Sequence, residues 1–191
     1  AGAGNAGSDA AANFVLGLLA RCWALMLAHF HKRHLLLELL TFVALLSFIL
    51  FFARQWQTIS EPLPSHFGFS GQPNAWGDKS SLLVSLIIGM AIYILLSVIE
   101  LFPRIWNFPV QLTEQNREKL VAIALDMFIL LKLVIVLAFG MINYWTITAH
   151  ALPVWFLPLF LFILFGGVAF FIWKMVHYNS RLAKNKPDII E

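Results

Sequence analysis

The residues best equipped for chemistry are ionisable groups set inside apolar stretches. Asp126 and Lys132 interrupt the run VAIALDMFILLKLVIVLAFGMINY, and Glu38 and Glu100 occupy similarly shallow positions in two other runs. A charge in hydrocarbon is expensive, so such groups turn to the protein interior, pair, or line an ion or proton pathway. Six residues turn an ideal helix by about 240°, so Asp126 and Lys132 are not expected to pair with each other. A bond from Lys132 to Glu38 or Glu100 fits better, as structural glue. A conduction path would need further polar groups towards the opposite face, and the sequence supplies none there.

Histidine is the next candidate. His29, His31 and His34, with Lys32 and Arg33, form the cluster HFHKRH. His31 and His34 have the i, i+3 spacing of helical neighbours, which a metal or haem could use. The expected role is an anchoring basic cluster against anionic lipid head groups. His66 and Asp78 are too few ligands for a metal site. His66 is expected to hydrogen-bond loop carbonyls and fix a turn, the other reading being a pH-sensitive contact for a ligand. Lys79 is expected to be exposed and available to a partner. No nucleophile–base arrangement, phosphate-binding glycine loop, HExxH or dinucleotide fingerprint occurs, and Cys22 is the lone cysteine. Neither catalysis, a cofactor nor a metal is expected.

These groups need elements to hold them, and composition says what those elements are. Of 191 residues, 60% are hydrophobic and only 12% charged, too few charges to cover a soluble core of this size. Soluble enzyme, nucleic-acid binder and disordered tail are all disfavoured. Four apolar runs, about 34–52, 82–102, 121–144 and 153–176, reach the roughly 20 helical residues that cross a bilayer, without strand-like alternation. Trp56, Trp76, Trp106, Trp145, Trp155 and Trp173 fall near their ends as interfacial anchors. The fold class expected is an all-α four-transmembrane-helix bundle over residues 34–177. Residues 1–12 read as a flexible tail, 13–33 as an amphipathic interfacial helix with Arg21 kept out of the bilayer centre, and 178–191 as a polar tail. The net charge of +3 needs no nucleic acid, because the basic residues cluster beside the spans. Arg21, Lys32, Arg33, Arg104, Arg117, Lys119, Lys174, Arg181, Lys184 and Lys186 lie on one side, and only Arg54 and Lys79 on the other. That asymmetry places both termini in the cytoplasm.

Two loops carry most of the specific information. The outer loop, PLPSHFGFSGQPNAWGDKSS, is too rich in proline and glycine for a helix, and a loop of this length is usually functional or packed on its own side chains. In the inner loop, FPRIWNFPVQLTEQNREK, Pro103 ends the second helix and Pro109 holds an extended segment. Thr113 should cap a third helix that starts near Glu114, well before the bilayer. Along the second span, Ser81, Ser85 and Gly89 form a small-residue stripe, and Gly166 with Gly167 give the fourth a flat patch. Both suit close packing within the bundle.

The outer-loop residues Leu63, Pro64, His66, Phe67, Gly71, Pro73, Gly77 and Lys79 resemble the pattern of the SdpI-type membrane proteins. Those include an immunity protein against a sporulation-delaying peptide toxin. Asn74 stands where that family carries an acidic residue. The inner-loop residues Asn107, Pro109, Val110, Thr113, Glu114 and Asn116 match the family's second feature, and the resemblance extends over residues 35–176. It implies a non-enzymatic protein of the bacterial inner membrane, in a family where toxin immunity and signalling are known for a few members. The partners expected are membrane lipids and a protein partner, whether peptide toxin, regulator or membrane-complex subunit. Three functions remain open: an immunity-type binding or sensing protein, an accessory subunit of a larger membrane complex, and a small transporter.

Overall fold

The structure is a computed structural model that describes residues 32–184. The segment read as a flexible tail, nearly all of the segment read as an interfacial helix, His29 and His31, and the end of the polar tail lie outside those residues. Four helices and one hairpin follow in order: α1 (Lys32–Gln55), β1 (Leu63–Phe67), β2 (Pro73–Gly77), α2 (Ser80–Glu100), α3 (Glu114–Ile147) and α4 (Phe156–Lys184). All four helices are long and apolar enough to cross a membrane. The chain is thus an all-α membrane bundle, as composition and run length require, and the outer hairpin is its one β element among the described residues.

The helices end where local chemistry dictates. Asp78 accepts the Ser80 N–H and Ser80 hydroxyl, and its own carbonyl accepts the Ser81 hydroxyl, which closes the start of α2. At the start of α3, the Thr113 hydroxyl accepts the Asn116 N–H and the Asn116 side chain accepts the Thr113 N–H, a reciprocal capping box. α3 has 34 residues, about 50 Å at 1.5 Å per residue, so it overreaches a hydrocarbon core of ~30 Å. α4 also runs beyond the expected boundary, since residues 178–184 are helical rather than a tail.

α3 is the hub. α1, α2 and α4 each pack along it and make little contact with one another. Half of the apolar window of α3 is buried, against 11% in each of the other three helices. The outward faces are apolar: Leu36, Leu39, Ile87, Phe162 and Phe165 are all more than half exposed. The fully covered positions include His34, Thr41, Glu100, Asn116 and Lys132. That inversion, polar groups inside and apolar groups outside, is stable only with lipid as solvent.

The outer loop is ordered. β1 and β2 pair antiparallel, with Leu63 opposite Gly77, Pro64 opposite Trp76 and His66 opposite Ala75, and with register irregularities between. Prolines in both segments hid these strands from a reading by alternation. Leu63 joins Phe52, Ile59 and Leu82 in a core at the hairpin end of the bundle, so the hairpin does not stand on its own ladder. Its tip docks on the loop between α3 and α4, where the Leu152 N–H donates to the Gly71 carbonyl at 2.8 Å. Gly71 has φ +79°, and a Cβ there would lie 2.1 Å from the Leu152 oxygen, so only glycine fits.

Candidate functional site

Two charged constellations hang on α3, six residues apart. Lys132 is fully buried, and its Nζ donates at 2.6 Å both to Glu38 Oε1 of α1 and to Glu100 Oε2 of α2. Ser97 Oγ lies 3.4 Å away, and the Tyr93 ring stands over the ammonium with its centroid at 5.5 Å. One lysine thus ties three helices together. Both glutamates bond it at once, where the sequence suggested one or the other. Asp126 points elsewhere, as its spacing required. Its Oδ2 accepts Arg33 of α1 at 2.9 Å and lies 3.8 Å from Lys174 Nζ of α4, while its Oδ1 is 2.9 Å from His34 Nε2.

The expectation that His34 serves as a head-group anchor therefore needs correction. His34 is entirely buried against Asp126, and Arg33 bonds the same carboxylate. The signal was present in the sequence, because His34, Glu38 and Thr41 recur at i, i+4 and i+7, one polar face on an otherwise apolar helix. Asn143 was also missed. It is a buried amide in the third span that donates to Ser85 Oγ at 3.2 Å and to the Phe139 carbonyl at 2.8 Å. Within the small-residue stripe, Gly89 serves packing: a Cβ there would lie 3.1 Å from the Phe139 ring. Gly167 likewise sits against Leu130, whereas Gly166 faces open space.

At the hairpin end of the bundle, the hairpin roofs a cleft of about 390 Å³ between α2, α3 and the start of α4. Its walls include His66, Phe67, Phe69, Ser81, Val84, Ser85, Ile88, Phe139 and Leu157. It exists because α2 and α4 both lean on α3 and leave the gap between them open. His66 Nδ1 lies 2.6 Å from Asn74 Oδ1, a cross-strand bond to a side-chain amide rather than to a loop carbonyl. Asn74 thus orients the ring.

The remaining motif residues divide by location. Pro64 is buried on β1 and Pro73 begins β2. A Cβ on Gly77 would press on Ser65 at 3.3 Å. Lys79 is not the free side chain expected. Its Nζ reaches the Trp56 carbonyl at 3.4 Å and stands over the Trp56 ring, and its N–H donates to Glu61. In the inner loop, Asn107 and Pro109 are exposed, Val110 packs on the core formed by Leu120, Ile123, Phe171 and Met175, and Glu114 opens α3. Asn116 is buried and donates to both the Gln111 carbonyl and Asn179 Oδ1 of α4, each at 2.9 Å. The inner motif is a joint between α3 and α4. Among the described residues no group of three His, Cys, Asp or Glu side chains could hold a metal.

Comparison with known proteins adds one match. Residues 42–99, which comprise most of α1, the hairpin and α2 up to Ile99, match the family described as Domain of unknown function (DUF1648). No curated protein and no solved structure matches the chain. The segment that carries the family signal is the one that builds the hairpin and one wall of the outer cleft.

Proposed function

We propose that the chain is a non-enzymatic membrane binding protein whose hairpin-roofed cleft takes an uncharged, apolar segment of a peptide or protein partner. The cleft carries this reading. It is open to the side, lined mainly by apolar side chains, and supplied with a few fixed polar groups in His66, Ser81 and Ser85. No lysine, arginine or carboxylate lines it, so it lacks what would select a charged head group. The DUF1648 domain is found in SdpI-like proteins, and the outer-loop resemblance points to immunity-type capture of a peptide at the membrane. Both termini on the cytoplasmic side of a bacterial inner membrane would put this cleft where an extracellular peptide arrives. Conduction is disfavoured, because residues 133–142 between Lys132 and Asn143 are apolar throughout.

The test is purification in mild detergent of the wild-type chain and of Val84→Trp, which fills the cleft from an exposed position. A discrete peptide or protein should accompany the wild type in near-stoichiometric amount and be lost from the variant at unchanged melting temperature. The same material on both proteins would contradict the reading.

A further inference from the structure

At the other end of the molecule a second groove opens between α1 and α4, with a volume of about 330 Å³. Leu40, Leu133 and Phe170 line its apolar length, and Arg33, Asp126 and Lys174 stand at its mouth. α1 and α4 pack on α3 rather than on each other, so the groove is open sideways to the bilayer. We propose that it binds one anionic phospholipid, with the phosphate held by Arg33 and Lys174 and the acyl chains lying along the apolar wall.

Charge and depth carry the argument. Two full cations face one carboxylate, which leaves a positive excess at the mouth. Lys174 Nζ, at 3.8 Å from Asp126 Oδ2, is too far for a hydrogen bond and keeps its donors available. Arg33 spends one N–H on Asp126, and its side chain is 55% exposed, so the rest of its fork faces outward. A phosphate diester supplies both the missing negative charge and the acceptors. Trp173, exposed beside Lys174 and stacked on His177, marks this level of α4 as interfacial. A zwitterionic lipid offers the phosphate but brings a compensating cation, so the site should select net negative charge. The outer cleft, without a basic side chain, has no such preference, and the two proposals stand apart.

The experiment is native mass spectrometry of the protein released from nanodiscs of phosphatidylcholine doped with phosphatidylglycerol. The wild type should retain one phosphatidylglycerol at least tenfold over its share in the disc. Lys174→Gln should lower that retention about fivefold or more, and Lys174→Arg should keep it. Leu40→Trp, which fills the groove and leaves every charge in place, should also abolish it. Arg181→Gln removes an equal charge from an exposed position outside the groove and should change nothing. Equal retention of the two lipids, an unaffected Leu40→Trp, or a loss in Arg181→Gln as large as in Lys174→Gln would each overturn the proposal. Melting temperatures measured alongside separate lost binding from lost folding, with Leu40→Trp as the decisive variant if Lys174→Gln unfolds.

Discussion

At the scale of single residues, the bundle depends on what Lys132 compensates. It stands between Glu38 and Glu100, and removing it would leave two carboxylates close together in the interior. Breaking one side of a buried pair typically costs about 3–5 kcal/mol. Lys132→Met should therefore lower stability by that order in detergent unfolding, and Lys132→Met combined with Glu38→Gln and Glu100→Gln should recover much of it. Lys79 belongs to the same class of claim on a smaller scale. Its contacts to Trp56 and Glu61 join the end of α1 to the start of α2, so Lys79→Ala should lower stability by about 0.5–1 kcal/mol, seen as a lower melting temperature, rather than act on binding alone. Helical spacing made the divergence of Asp126 from Lys132 legible, together with the pull of Lys132 towards a glutamate. The burial of His34 was harder to see, because periodicity shows which residues share a face but not which neighbour that face meets. Lys79 was misjudged for a related reason: its partner Trp56 lies across a loop whose path local composition does not specify.

At the scale of elements, the four helices could be read from run length, and the start of α3 from Thr113. The hairpin could not, because prolines in both strands break the usual alternation and the docking at Leu152 is long-range. That docking is testable. Gly71→Ala forces a side chain into a left-handed conformation and against the Leu152 carbonyl, which should cost more than ~1 kcal/mol and speed hydrogen exchange at the Leu152 amide. Gly68→Ala is the matched control, since its Cβ would meet the Asn74 side chain at an ordinary 3.4 Å. The start of α2 should respond to acid. Hydrogen bonds from the Ser80 hydroxyl and then the Ser80 N–H hold the Asp78 carboxyl below its ordinary value of 3.8. Its contribution is complete above that ordinary value and is lost only as the pH falls through the lowered folded-state value. Protection of the first-turn amides of α2, relative to their intrinsic exchange rates, should therefore be steady near neutral pH and fall below pH 3.8, with Asp78→Asn showing no such step.

At the scale of the whole molecule, a central helix bears the charges and three helices lean on it without closing on one another. Among the lateral openings that geometry leaves, two have opposite character, one neutral under the hairpin and one basic beside Arg33 and Lys174. The inversion of polar and apolar residues was legible from composition. The openings were not, because they follow from which helix pairs make little contact. The arrangement predicts that cysteines at Ser70 and Gln115 label from opposite sides of a sealed vesicle. The claim most in need of a direct test is that the hairpin-roofed cleft holds a partner. A photoreactive amino acid placed at Ile88 in the cleft, with Phe162 on the lipid-facing side of α4 as control, reports occupancy in intact membranes. The account predicts a discrete peptide or protein adduct at Ile88 and only lipid adducts at Phe162. Lipid adducts alone at both positions would contradict it.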